Sequence, residues 1–197
     1  MISKSLREIC AAVTVRETSG DMDRAVCGIA YDSRDVKPGF LFVAMDGLHT
    51  DGHRFIPDAV ARGAAAVVEA RQLLDTHAGV TCIRLDNPRT ALSPLAAAFF
   101  GHPSRSLRVI GVTGTDGKSS TVWFITQLLG FLGRKVGFLS TVSFQTSEAI
   151  VKNPFRQSTP EATEIHGMLR EMVDLGKDFA VVEATSHGLS PRMNRLP

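Results

Sequence analysis

Short apolar runs alternate with amphipathic stretches along the first half of the chain. The apolar runs predict strands, and the amphipathic stretches predict helices between them. Four runs have the length and β-branched content of buried strands: Val26–Tyr31, Phe40–Ala44, Ala64–Val68 and Val80–Leu85. Three stretches have the 3.6-residue period of helices: Ser3–Val13, Pro57–Arg62 (ending at Gly63) and Pro88–Phe100 (capped by Asp86 or Asn87). Alternation of this kind is typical of an α/β domain.

The alternation restarts after residues 101–105, which we interpret as a linker between domain 1–102 and domain 103–197. The predicted strands are Leu107–Ile110, Lys135–Leu139, Val142–Gln145 and Phe179–Glu183. The predicted helices are Val122–Leu132 and Pro160–Leu175, the latter capped by Ser158 or Thr159. Open parallel sheets usually have about five strands or more, whereas only about three of the strands predicted here would belong to such a sheet. We therefore expect the second domain to be the first part of a P-loop-type parallel-sheet domain, and the chain to be a fragment of a longer protein.

Composition excludes several classes of function. The net charge is only +2 and the cationic residues form no stripe, so nucleic acid is not an expected partner. No apolar run approaches the roughly 20 residues that span a bilayer, and no secretion signal is found, so no membrane partner is expected. The three cysteines are far apart, which suits a reducing compartment. A cytoplasmic protein is the expectation.

The glycine-rich segment Gly111–Thr121 lies between a predicted strand and a predicted helix. Glycines let backbone N–H groups converge on phosphate oxygens, and the following helix directs its positive end to the same point. Lys118 would reach the outer phosphates and the Ser119 hydroxyl would ligate Mg²⁺. The rest of the predicted ATP site is Gly114, Thr115, Asp116, Gly117 and Ser120. The alternative is a glycine-rich turn with a surface lysine.

A second polar segment, Glu183–Gly188, follows the last predicted strand. Ligands of open α/β sheets bind at the carboxyl ends of the strands, where the glycine loop is also expected. The Glu183 carboxylate and the His187 imidazole could therefore bind Mg²⁺ or order its waters. The alternative is a solvated glutamate at a strand end.

Five segments together resemble the Mur ligase family, in particular the branch that adds the third residue of the peptidoglycan peptide. They are the three-glycine loop, Asp32–Ala44, Asp51–Ile56, Gln157–Glu161 and Glu183–Gly188. The loop differs from the family pattern at Asp116, where asparagine is usual, and the last segment has Thr185 in place of serine.

The resemblance implies a fold, a reaction and a set of site residues. The first domain would hold the uridine diphosphate of UDP-MurNAc-L-Ala-D-Glu through Ser33 and Arg34, with Gly47 to His49 at the base. Ser158, Thr159, Ser186 and either Arg192 or Arg195 would contact the rest of this substrate. ATP would convert the D-Glu carboxylate into an acyl phosphate, which a diamino acid then attacks. Lys118, Glu183 and His187 would act in this step, with Mg²⁺ held by Ser119 and Glu183.

Two other functions remain open at this point. A folylpolyglutamate synthase-like ligase would share the glycine loop but lack the Asp-Ser-Arg domain, and a non-catalytic nucleotide-binding remnant would keep only the binding sites. The string Asp86-Asn87-Pro88-Arg89 matches one that the family uses in its C-terminal domain for diaminopimelate, but here we interpret it as a helix cap. Because that C-terminal part is missing, we expect binding without ligation from this chain alone.

Overall fold

The chain folds into two units, Met1–Phe99 and Phe100–Pro197, each built around a five-stranded sheet. A computed structural model describes residues 2–46, 51–71, 79–154 and 160–184. The sheet of unit 1 is mainly parallel and that of unit 2 has three parallel strands, with helices packed on them, so the predicted α/β class is confirmed.

Unit 1 has a parallel sheet extended by one antiparallel edge strand. Its strands are β1 (Lys4–Ser5), β2 (Glu17–Ser19), β3 (Ala25–Val26), β4 (Gly28–Ala30), β5 (Phe40–Val43), β6 (Ala66–Glu69) and β7 (Thr81–Arg84). Its helices are α1 (Leu6–Cys10), α2 (Ile56–Ala61) and α3 (Pro88–Phe99). The sheet order is β2-β7-β6-β5-β4, with β2 antiparallel to β7, while β1 and β3 form a separate ribbon. The predicted strands β4 to β7 are all present.

The first helix is shorter than predicted. Ser5 caps α1 in a reciprocal arrangement with Glu8, because the Ser5 side chain accepts the Glu8 N–H while the Glu8 carboxylate accepts the Ser5 N–H. The residues before the cap pair with β3, so the prediction that the helix spans Ser3–Val13 is wrong at both ends.

Unit 2 carries three parallel strands and an antiparallel extension. Its strands are β8 (Arg108–Val112), β9 (Val136–Leu139), β10 (Ser143–Gln145), β11 (Val151–Lys152) and β12 (Phe179–Glu183). Its helices are α4 (Lys118–Phe131) and α5 (Ala162–Asp174). The order is β11-β10-β9-β12-β8, in which β8, β12 and β9 are parallel and the β9–β10–β11 pairs are antiparallel.

Two helix starts in unit 2 differ from the prediction. Helix α4 begins at Lys118 and not at Val122, because Gly117 in the left-handed region (φ 73°) leads directly from the loop into the helix. Helix α5 begins at Ala162 with Glu161 as its N-cap, so the predicted cap by Ser158 or Thr159 is wrong.

Helix α4 is apolar on two faces. Val122 is fully buried in a cluster with Val112, Phe138 and Val181, whereas Phe124 and Phe131 on the outer face are 70% and 88% exposed. Trp123 lies edge-on to Phe138, with the ring centroids 5.8 Å apart. Among the described residues, no helix is long and apolar enough to cross a bilayer.

Candidate functional site

The loop between β8 and α4 has two positive-φ glycines and leads directly into a helix. Gly114 and Gly117 have φ values of 151° and 73°, which side-chain-bearing residues rarely adopt. The loop residues from Thr113 to Gly117 are exposed, and the helix starts at Lys118. Because the first N–H groups of a helix have no helical acceptor, the N-terminus of α4 presents donors and a positive dipole end at this loop.

The Lys118 side chain folds back over the loop. Its Nζ donates to the Thr115 carbonyl oxygen at 2.9 Å, and the side chain remains partly exposed. The ammonium group is therefore held beside the backbone that would cradle phosphates, while Asp116 is exposed at the tip of the loop.

Glu183 lies next to Ser119 at the carboxyl ends of two parallel strands. The register pairs Glu183 of β12 with Val112 of β8, and the Ala184 N–H donates to the Val112 carbonyl at 2.8 Å. This brings the Ser119 hydroxyl within 2.7 Å of Glu183 Oε2, to which it donates. Glu183 is only 5% exposed, although it carries an ionisable group.

This pair of oxygen ligands fits a magnesium ion. Mg²⁺ prefers hard oxygen donors and is usually held by one or two carboxylates or hydroxyls together with substrate phosphates. Ser119 Oγ and the Glu183 carboxylate supply that donor set beside the glycine loop. The two residues that the sequence predicted as metal ligands are thus in contact, and their role with a metal remains a prediction.

A residue that sequence reasoning missed completes this cluster. Thr141, just after β9, donates to Glu183 twice: its N–H to Oε2 at 2.9 Å and its hydroxyl to Oε1 at 2.8 Å. The available signal was its place after a predicted strand, at the edge where polar side chains of parallel strands gather.

Unit 1 contains a cavity of about 500 Å³. Its lining combines aromatic, apolar and charged side chains with one glycine: Tyr31, Asp32, Ser33, Arg34, Met45, Gly52, Phe55 and Arg89. A cavity of this size with a few polar groups is typical of a small-molecule site. The predicted site residues Ser33 and Arg34 both lie in it.

The Asp-Ser-Arg segment forms a tight turn at one wall of the cavity. The Asp32 carboxylate accepts the Arg34 N–H and the Arg34 Nε–H, each at 2.9 Å, and this pairing lowers the Asp32 pKa. Ser33 is 5% exposed, and its hydroxyl bonds to Asp58 and lowers the pKa of that carboxyl. The segment is therefore structural as well as cavity-lining.

Arg89 is a charged lining residue whose place in the cavity sequence reasoning missed. Asn87 Oδ1 accepts the Thr90 N–H at 3.1 Å, so the predicted helix cap is confirmed. Arg89 donates to the Asp46 carbonyl through Nε at 3.1 Å and Nη2 at 2.8 Å. It makes no ion pair within the part of the chain that the structure describes, so its positive charge can act on an anion in the cavity.

A neighbouring cluster of Asp46, Asp51 and His53 has the composition of a metal site, but its hydrogen bonds contradict that role. The Ala70 N–H donates to His53 Nε2 at 3.1 Å, so the neutral ring carries its proton on Nδ1. Nδ1 then donates to Asp51 Oδ1 at 2.8 Å and has no lone pair for a metal. These bonds, together with Arg71, lower the Asp51 pKa to about 2. The cluster has a structural role, because His53 joins Asp51 to the backbone of Ala70 beside the cavity.

Several predicted site residues lie outside the described residues. They are His49, Ser158, Thr159, Ser186, His187 and Arg192. Their predicted contacts with substrate or metal remain predictions.

Comparison with known proteins adds to this geometry. The family described as the Mur ligase family, catalytic domain, matches residues 25–100, and the Mur ligase middle domain matches residues 112–196. The chain belongs to the Mur ligase family.

Relatives of this Mur ligase chain are named for one branch of the family. A UDP-N-acetylmuramyl-tripeptide synthetase of Roseiflexus sp. (strain RS-1) is 52% identical over 171 residues, 87% of this chain and 34% of that protein. One of Treponema pallidum (strain Nichols) is 46% identical, over 98% of this chain and 36% of that protein. A UDP-N-acetylmuramoyl-L-alanyl-D-glutamate–2,6-diaminopimelate ligase of Syntrophomonas wolfei is 40% identical, over 93% of this chain and 37% of that protein. The chain thus spans little more than a third of these relatives.

Solved structures agree with the fold. A UDP-N-acetylmuramoyl-L-alanyl-D-glutamate–2,6-diaminopimelate ligase superposes with a TM-score of 0.75 at 25% identity, covering 98% of this chain and 38% of that one. A MurF ligase from Thermotoga maritima, solved in complex with ADP, superposes with a TM-score of 0.52 at 26% identity. The match covers 80% of this chain and 32% of that one. The Thermotoga maritima relative therefore binds a nucleotide.

Proposed function

We propose that this chain supplies the nucleotide loop and the UDP-sugar domain of an ATP-dependent ligase of peptidoglycan precursor synthesis. The complete enzyme would add a diamino acid to UDP-MurNAc-L-Ala-D-Glu through an acyl phosphate. The observation that carries the proposal is the 2.7 Å contact between Ser119 Oγ and Glu183 Oε2 beside the glycine loop. Such a contact is expected of a loop that binds a nucleotide together with a divalent cation.

In this proposal each residue of the nucleotide site has a separate task. Lys118 and the N-terminal amides of α4 bind the outer phosphates, and Ser119 and Glu183 hold Mg²⁺. When bound, Mg²⁺ supplies neutralisation of the charge that develops on the transferred phosphoryl group. The low exposure of Glu183 supports this task, because an ion–carboxylate interaction is stronger where water is largely excluded.

The UDP part of the substrate would bind in the unit 1 cavity. Its two arginines differ in how their charges are balanced, since Arg34 pairs with Asp32 whereas Arg89 donates to a neutral carbonyl. Arg89 is therefore the stronger candidate for the diphosphate. Phe55, 43% exposed, offers an aromatic surface to the base.

Calorimetric titration with UDP and with ADP plus Mg²⁺ tests the two sites separately. The intact chain should bind both. Ser119→Ala should weaken Mg²⁺–ADP binding by at least tenfold and leave UDP binding unchanged, since removing a metal-ligating oxygen costs about that much or more. Arg89→Met should weaken UDP binding and leave Mg²⁺–ADP binding unchanged, so each variant is the control for the other. Absence of UDP binding to the intact chain would exclude the tripeptide-ligase assignment and favour a folylpolyglutamate synthase-like protein.

The catalytic expectation is tested by ADP release. With UDP-MurNAc-L-Ala-D-Glu and either diaminopimelate or lysine, we expect this chain alone to release no ADP that depends on the amino acid. Amino-acid-dependent release would contradict the proposal that the chain contributes binding sites only.

A further inference from the structure

Among the residues that the structure describes, three donors hold the Glu183 carboxylate, and two of them belong to Thr141. Oε2 accepts from Ser119 Oγ at 2.7 Å and from the Thr141 N–H at 2.9 Å, while Oε1 accepts from Thr141 Oγ1 at 2.8 Å. Each carboxylate oxygen has two lone-pair directions, and donors from the described residues use both of those of Oε2 and one of those of Oε1. Because Thr141 donates to both oxygens, it fixes the orientation of the carboxylate.

Thr141 belongs to a tight turn that is itself fixed on both sides. Ser140 N–H donates to the Ser143 carbonyl at 3.0 Å, and Ser140 Oγ accepts the N–H groups of Val142 at 3.2 Å and Ser143 at 3.0 Å. Just after β11, Asn153 Nδ2 donates to the Thr141 carbonyl at 3.0 Å. The antiparallel β9–β10–β11 extension thus holds Thr141 against the end of a parallel strand.

We propose that Thr141 is a positioning residue that orients the Glu183 carboxylate toward the divalent cation accompanying the nucleotide. The inference rests on the proposed function, because it deepens the same site. Thr141 acts through Glu183 and needs no contact with the nucleotide. Ligand-orienting partners of this kind usually change metal affinity by about 10- to 100-fold when they are removed.

The test measures how much Mg²⁺ tightens ADP binding to the intact chain. The readout is the ratio of the ADP dissociation constants without and with Mg²⁺, measured by calorimetry. Thr141→Val removes the hydroxyl at nearly constant volume and should lower this ratio about tenfold while leaving the Mg²⁺-free constant within about twofold. Thr141→Ser keeps the hydroxyl and should restore the ratio.

A matched control separates positioning from general loss of a hydroxyl. Thr126 is also in unit 2, is 4% exposed, and donates its hydroxyl to the Val122 carbonyl at 2.8 Å. Thr126→Val should leave the ratio unchanged. Equal ratios for Thr141→Val, Thr126→Val and the unaltered chain would overturn the inference.

Nuclear magnetic resonance keeps the inference testable if a variant binds no nucleotide. In the free chain, the carbon resonance of the Glu183 carboxyl group should move in Thr141→Val and return in Thr141→Ser. A Glu183 resonance that does not move in Thr141→Val would overturn the inference that Thr141 positions this carboxylate. Failure of the unaltered chain to bind ADP at all would instead refute the proposed function, so the two failures are distinguishable.

Discussion

His166 should make unit 2 lose stability between pH 6.5 and about pH 4. It lies on α5, is 1% exposed, and its pKa is lowered from 6.5 to about 4, first by burial and then by the positive charge of His102. In the unfolded chain the ring binds a proton near its ordinary pKa of 6.5. The unfolded state therefore binds more protons within this window, and stability rises with pH across it.

The size of the effect follows from the two pKa values. Each pKa unit corresponds to about 1.36 kcal/mol, so the interval from 6.5 to about 4 is worth about 3 kcal/mol. The full contribution is present above pH 6.5, is lost progressively as the pH falls, and changes no further below about pH 4. A loss of this size is a substantial part of the stability of a small domain.

Urea unfolding at a series of pH values measures how the stability of unit 2 depends on pH. The amide resonances of Leu169 and Val181, which are both buried in unit 2, report the unfolding. His166→Gln does not titrate and should flatten the dependence between pH 6.5 and 4. His102→Gln is the control and should leave most of the dependence in place, because burial is the larger cause. The reasoning is refuted if His166→Gln retains the slope, or if the His166 ring of the folded chain titrates near pH 6.5.

Three further substitutions test the geometry of the two sites. Gly52→Ala would put a Cβ 2.2 Å from the Met45 carbonyl oxygen, so unit 1 should lose about 1–3 kcal/mol in urea unfolding and bind UDP more weakly. His53→Phe removes the largest cause of the low Asp51 pKa, so that pKa should rise from about 2 toward 3.8 in a carboxyl-carbon titration; the stability that the Asp51 carboxylate contributes above pH 3.8, which the unaltered chain loses as the pH falls from 3.8 to about 2, should then be smaller. Gly117→Ala forces a side chain into the left-handed region (φ 73°) and should cost about 1–2 kcal/mol and weaken Mg²⁺–ADP binding in calorimetry.

A glycine in open extended backbone provides the control for the two glycine changes. Gly111 in β8 has no atom within 4 Å of an added Cβ, so Gly111→Ala should change stability by no more than about 0.5 kcal/mol. An equal loss in all three glycine variants would contradict the steric and backbone explanations.

The parts of the fold that depend on local pattern could be predicted from the sequence. The strands β5, β6, β7 and β12 are short apolar runs buried on both faces, and such runs are distinctive. The glycine loop was recognisable because its chemistry lies in consecutive residues. The position of Glu183 followed from topology, since the carboxyl ends of parallel strands share one edge.

The contacts that depend on tertiary pairing could not be predicted. Thr141 reaches Glu183, 42 residues later in the chain, only because β9 turns back into an antiparallel hairpin, and β11, which completes it, is two residues long. Arg89 reaches the Asp46 carbonyl across 43 residues. Neither contact produces a periodic pattern in the sequence, because its two partners are far apart along the chain and are brought together only when the sheets assemble.

Trp123 gives the proposed nucleotide site an intrinsic fluorescent reporter. It is the single tryptophan of the chain, lies five positions beyond Lys118 on the helix that the glycine loop opens, and is 41% exposed. The Trp123 indole is partly exposed to water and partly packed against the Phe138 ring. Its fluorescence emission therefore changes when the polarity or packing of its surroundings changes. Unlabelled protein can therefore be titrated in a fluorimeter, and a spectral response to ADP would come from unit 2 alone.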